Sequence, residues 1–294
     1  MKKTILSLIA FILCLTSCNS ANDSRYTSYI CDSVNDGIGI SAEIDYWNGS
    51  YYKKQNMTDK TCFVNGKKYT AAYSNSIIDK MNSYTTDIYV DENYIEFGLR
   101  DDTGDLSFFN LMNAEFFNTE PYLPEVKNPR DTAISLAYEI ASEYVDDITK
   151  YTKIVEEPRT NYKEKNGIKY EITYYIITFA KKVNGYFSSD YISVKVTSKG
   201  NLASIQMGDI NAFENISLDI NTEVMNQSIS DKIASTYKKY KLNVKASNIR
   251  DQKIVLTPNK DICMYSHIGV ETSDITNTEI RTGLQILTVL ENIT

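Results

Sequence analysis

Residues 169–196 read KYEITYYIITFAKKVNGYFSSDYISVKV. Aromatic and β-branched residues dominate Lys169 to Phe179. In Tyr191-Ile192-Ser193-Val194-Lys195-Val196, apolar residues take every second position. Between them stands Val183-Asn184-Gly185-Tyr186, whose Asn-Gly pair suits a two-residue hairpin turn. The run therefore predicts two antiparallel strands. Upstream, Ala133, Ala137, Ile140, Ala141, Tyr144 and Ile148 share one helical face, with Asp131 placed to cap it. Downstream, Ser198-Lys199-Gly200-Asn201 turns the chain into a shorter strand near Leu202–Ile205. A helix followed by an antiparallel sheet is an α+β block.

The block recurs in outline. Met225, Ile229, Ile233, Tyr237 and Tyr240 mark a second amphipathic helix. Ile140-Ala141-Ser142-Glu143-Tyr144 matches Ile233-Ala234-Ser235-Thr236-Tyr237 at an offset of 93 residues. The same offset carries Tyr170 onto Cys263, where a strand runs to Val270, and Tyr191–Val196 onto Leu284–Val289. A helix and two strands at one offset predict a duplication, repeat 1 at 130–212 and repeat 2 at 213–294.

Ahead of the block, Pro121, Pro124 and Pro129 cluster in one stretch, 121–129, which predicts a linker because proline breaks helices and cannot donate in a sheet. Residues 30–120 read as a β-rich domain. Ile38, Ile40, Ala42 and Ile44 alternate with mostly polar residues, and Cys62–Val64 and Tyr69–Tyr73 flank Asn65-Gly66. Ile88–Val90, Tyr94–Leu99 and Leu106–Phe109 form a meander, with turns at Asp91-Glu92-Asn93 and Asp101–Gly104.

The order helix, aromatic strand, Asn-Gly turn, alternating strand and Gly turn resembles the PepSY-like domains of Gram-positive secreted proteins and lipoproteins. The resemblance covers about 130–210, more loosely 215–294, and leaves out the first domain. It implies a small helix-on-sheet α+β domain outside the cell. Some members are held to restrain extracellular peptidases. The motif is diffuse and carries no catalytic or ligand residue that transfers to this chain.

The amino terminus supplies an address. Lys2 and Lys3 precede Ile5–Leu15, eleven residues apolar except for Ser7. At about 1.5 Å per helical residue they cover roughly half a bilayer core, too little to span it. Positive start and short apolar core are the signal-peptide pattern. Leu15-Thr16-Ser17-Cys18 looks like the lipobox of bacterial lipoproteins, and 18–29 reads as a polar tether. Residues 1–17 are then a signal peptide, and the membrane is met through lipid on Cys18. Two or more acyl chains hold a protein firmly. The alternative is an ordinary secreted protein in which Cys18 is incidental.

The net charge of −7 becomes about −9 once Lys2 and Lys3 leave with the leader. No basic footprint for nucleic acid stands out, the densest cluster being Lys238, Lys239 and Lys241. With Cys18 acylated, Cys31, Cys62 and Cys263 remain. Either Cys31 and Cys62 pair in a disulfide, leaving Cys263 a buried thiol, or they do not. No Cys-x-x-Cys spacing points to zinc or redox chemistry.

His267 is the one histidine, which excludes a multi-histidine metal site. On a strand it would lie about 13 Å from Cys263, too far for a thiolate–imidazole pair. Asp101-Asp102-Thr103-Gly104-Asp105 resembles a calcium loop in charge, but the twelfth position is Met112, where a ligating Glu belongs. It reads instead as a solvated turn. Asp146-Asp147 and Glu156-Glu157 are adjacent pairs whose side chains diverge. No Gly-x-Ser-x-Gly, Walker or dinucleotide fingerprint occurs, and no cofactor is implied. The 23 tyrosines suit half-buried strands first and a ligand face second. The expectation is a non-enzymatic, lipid-anchored protein- or peptide-binding module, with restraint of a peptidase as one form that binding could take. The alternative is an extracellular hydrolase with carboxylates from distant segments.

Overall fold

The computed structural model describes residues 26–34, 40–43, 50–78, 84–165, 168–214, 216–274 and 279–292. The signal peptide, Cys18 and most of the tether lie outside them; of the strand expected around Ile38–Ile44, residues 40–43 are described and do not form a strand. The strands run in chain order: β1 Thr27–Val34, β2 Ser50–Tyr52, β3 Lys60–Val64, β4 Lys67–Ile78, β5 Thr85–Val90, β6 Glu96–Arg100, β7 Leu106–Asn110, β8 Thr152–Val155, β9 Arg159–Lys165, β10 Ile168–Val183, β11 Tyr186–Thr197, β12 Leu202–Met207, β13 Asn243–Leu256, β14 Asp261–Ser273 and β15 Glu279–Asn292. The helices are α1 Ala114–Thr119, α2 Pro129–Ser142 and α3 Thr222–Lys239.

The described residues form two compact units. The first comprises those of Met1–Trp47, Leu218–Val255 and Asp261–Thr294. Its strand order is β1-β15-β14-β13. Strand β1 runs antiparallel to β15, from Thr27 opposite Val289 to Val34 opposite Gly283. Tyr26 and Ser28 are buried, so the end of the expected tether is already structural. Helix α3 lies on β1 and β15. Asn221 caps it, its side chain accepting from the Val224 N–H at 3.2 Å. The face that buries Met225, Ile229, Ile233 and Tyr237 is the one its periodicity predicts. The Tyr237 hydroxyl, fully buried, is satisfied by the Thr282 hydroxyl.

The second unit comprises the described residues of Asn48–Ser217 and Leu256–Lys260. Its strands follow the order β11-β12-β7-β6-β5-β4-β2. Strand β10 lies on the other side of β11, with β8 and β9 both on β10, and β3 pairs with β4. Both Asn-Gly turns form hairpins as read. Asn65 and Gly66 have φ of 49° and 69°, Asn184 and Gly185 49° and 86°. The meander is β5-β6-β7, and Asp91 Oδ1 holds its first turn by accepting from the N–H groups of Asn93 and Ile95. Pro121, Pro124 and Pro129 all fall inside this unit, and Pro129 opens α2 at its first position. Asp131 is therefore in the first turn, where it complements the helix dipole without capping. Ala133, Ala137, Ile140 and Ala141 are wholly buried against β10 and β11. Tyr144 and Ile148 lie beyond the helix end.

The expected α+β fold of two PepSY-like helix-on-sheet repeats is overturned. Among the described residues strand far outnumbers helix, so the protein is sheet-dominated. Neither candidate repeat closes on itself. In the first, β12 pairs onward with β7, from ahead of α2. In the second, β15 pairs with β1, from the opposite end of the chain. A helix and two strands at a fixed offset report local periodicity, and local periodicity does not specify which distant strand completes a sheet.

Candidate functional site

The second unit carries a groove of about 550 Å³ on the face of its sheet opposite α2. Alternation along each strand creates it. On β11, Ile192, Val194 and Val196 point into the core beneath α2 and are fully buried, whereas Lys195 lines the groove. On β12, Ile205 goes to the core and Ser204 and Gln206 to the groove. On β7, Phe109 goes to the core and Phe108 and Asn110 to the groove.

Strand register then aligns the groove residues. Lys195 is opposite Ser204, Ser204 opposite Asn110, and Asn110 opposite Glu96. The result is a polar row across four strands, with a cation at one end and an anion at the other. Adjacent to it runs a second row, Ser193, Gln206, Phe108, Gly98 and Ile88. A Cβ on Gly98 would come within 2.3 Å of the Phe108 ring, so the ring can lie over this strand only because residue 98 is glycine. Near the cationic end stand Met112 and Phe117, the latter on α1. Helix α1 is held by the Asn113 side chain, which accepts from the Phe116 N–H at 2.9 Å, and by Phe117 packing with Ile172 and Tyr174.

Lys195 Nζ stands 4.9 Å from the centroid of the Tyr174 ring. Burial holds its ammonium below the usual lysine range, and neighbouring Arg159 adds to that effect while Glu156 opposes it. Among the described residues neither Lys195 nor Glu96 makes an ion pair. Asn110 Oδ1 accepts from the Met112 N–H at 3.0 Å, which fixes the amide so that its NH2 is turned away from that bond.

A second constellation is buried in the same unit. Asp190, wholly buried on β11, accepts from the Tyr151 hydroxyl at 2.7 Å through Oδ1. Among the described residues its Oδ2 receives no hydrogen bond, and the Lys181 ammonium is 4.0 Å away. Lys181 is also 3.9 Å from Glu214. Burial raises the Asp190 carboxyl, with Tyr151 and Lys181 pulling the other way. Asp209 accepts from Ser189 Oγ at 2.7 Å. A Cβ on Gly208 would lie 1.9 Å from the Ser189 carbonyl oxygen, so glycine there permits this approach. Asp190 and Asp209 are 0% and 1% exposed, which closes the pair to a substrate. The cluster ties β10, β11 and the segment after β12 together; it does not form a cleft.

The residues singled out by sequence fare unevenly. Cys31, Cys62 and Cys263 are all buried. Cys31 Sγ–H donates to the Gln285 carbonyl at 3.1 Å. Burial pushes the Cys62 thiol up to about 11 and Cys263 to about 12, which keeps both as poor nucleophiles. His267 is half-buried on β14 opposite Gln285. Asp102 forms a two-point ion pair with Arg100, at 3.2 and 3.1 Å, and the Asp101–Asp105 segment is a turn. Asp147 holds the Thr149 N–H, and Glu156 pairs with Arg159. No group of His, Cys, Asp or Glu among the described residues is placed to hold a metal ion. No described helix is long and apolar enough to cross a membrane. Lys195, Ser204, Asn110 and Glu96 were not singled out by sequence. Alternation put each on a strand face, but only the register between strands assembles them. Comparison with protein-family models, curated proteins and solved structures returns no match.

Proposed function

We propose that the chain is a lipid-anchored extracellular protein that binds peptide segments in the groove of its second unit, without catalysing a reaction. The polar row Lys195–Ser204–Asn110–Glu96 carries this reading. An extended peptide offers unpaired N–H and C=O groups, and hydroxyl and amide side chains can satisfy both kinds. Phe108 gives an apolar side chain a flat surface beside that row, as peptide grooves commonly do. The leader Lys2–Leu15 and Leu15-Thr16-Ser17-Cys18 support attachment to the outer face of a membrane through Cys18. Restraint of a peptidase is one outcome of such binding, through a segment of that peptidase lying in the groove.

Two measurements test the reading. Cells expressing the chain are fed a clickable fatty acid; label on the wild type and none on Cys18→Ala is expected, and equal labelling overturns the anchor. Fluorescence anisotropy with mixed peptides of several lengths tests the groove. Phe108→Ala and Asn110→Leu should weaken binding roughly tenfold each, the scale of a lost hot-spot contact. Unchanged binding in both variants would place the peptide elsewhere.

A further inference from the structure

The two charged ends of the polar row lie three strand spacings apart. At about 4.8 Å per spacing, their backbones are roughly 14 Å from one another. An extended peptide advances about 3.3 Å per residue, so a chain of three to four residues has its terminal ammonium and carboxylate at about this separation. The peptide would lie across the strands. Ser204 and Asn110, neutral and central, would then face its internal amides. Gln206 and Phe108, in the adjacent row, would meet one side chain.

We propose that the groove recognises short peptides with both termini free, holding the carboxylate at Lys195 and the ammonium at Glu96. This rests on the peptide-binding reading above and adds the length and the end groups of the ligand. Charge complementarity supports the orientation. Lys195 is the cation of the groove lining and Glu96 the anion, and both lack an ion-pair partner among the described residues. Arg159 adds positive potential beside Lys195, partly offset by Glu156. At the cationic end, Met112 and Phe117 stand beside the row, which favours a peptide that stops there over one that runs through. An ammonium or carboxylate half-removed from water needs a charged partner, so a capped terminus loses most at that end.

The test uses the full chain and tetra-alanine in four forms: free, acetylated at the amino end, amidated at the carboxyl end, and capped at both. Calorimetric titration should show the free form binding most tightly. Each cap should weaken binding roughly tenfold, the effect of one lost charge-assisted hydrogen bond. Lys195→Met should abolish the difference between free and amidated peptide and leave the acetylation effect intact. Glu96→Gln should do the reverse. Circular dichroism melts of both variants confirm that they fold. Free and doubly capped tetra-alanine binding equally would overturn the end-group inference and leave peptide binding standing. Tight binding only of decapeptides would overturn the length. Failure of every peptide, decapeptides included, would overturn the peptide reading itself.

Discussion

The sheet of the second unit has two unlike faces made from the same strands. On the face that carries α2, Phe97, Phe109, Ile177, Ile192 and Val194 belong to one dry core, each 0% exposed, and Ala133, Ala137 and Ala141 let the helix backbone come close to β10 and β11. On the other face a row of charged, hydroxyl and amide groups stays accessible. One residue separates them: Val194 is core and Lys195 is groove. The first face is built to exclude water, and its energy is in burial. The second contributes little to stability and is therefore available for recognition. Binding and stability should accordingly respond to different substitutions.

Substitutions on either face test that division. Phe109→Ala should cost the most, about 3–5 kcal/mol, because it removes a fully buried ring that packs 4.7 Å from Tyr69. Urea unfolding measures this; a loss below 1 kcal/mol would mean the covered face is not the main source of stability. Gly98→Ala should cost about 1–3 kcal/mol by overpacking, since the new Cβ meets Phe108 and Thr86. It should also weaken peptide binding by displacing Phe108. A variant that melts lower yet binds as before would separate Phe108 from recognition.

Asp190→Asn tests the buried cluster through pH. Burial raises the Asp190 carboxyl in the folded protein, so over the window above the ordinary carboxylate range the folded state holds a proton that the unfolded state has lost. Stability should therefore fall as pH rises through that window, at up to roughly 1.4 kcal/mol per pH unit. Asn can still accept from the Tyr151 hydroxyl, and its variant should lose that slope. An identical slope in both proteins would assign the titration to another group. Lys195→Met should have the smallest effect on folding, within about 0.5 kcal/mol, as a groove residue with no ion pair. Wild-type binding of a peptide carboxylate should weaken as pH rises through the Lys195 ammonium, which burial has moved below the ordinary lysine range. A binding profile flat up to pH 11 would count against that contact.

Local chemistry was readable and long-range pairing was not. Asn65-Gly66 and Asn184-Gly185 announced their hairpins, because a turn with two positive φ values needs those residues. The faces of α2 and α3 were visible as spacing of Ala133, Ala137 and Ile140 and of Met225, Ile229 and Ile233. Nothing local says that β12 goes beside β7 or β15 beside β1. The polar row depends on three such registers at once, so its members read separately as ordinary strand residues. Asp190 was equally hidden. It sits in Ser188-Ser189-Asp190, a polar run with no apolar alternation to mark it as core, and its burial follows from packing by Tyr151 and the 208–214 segment.

The pairing of β1 with β15 imposes an order of events. Thr27 and Val289 are partners across 262 positions of chain. A polypeptide made from its amino end presents β1 first and β15 last. Throughout that interval β1, with the apolar Ile30 and Cys31, has its eventual neighbour missing. Strands in that condition are templates for wrong pairing, and closing so long a loop is slow. The first unit should thus be the late and vulnerable step of folding, and a helper that shields one strand would act on β1.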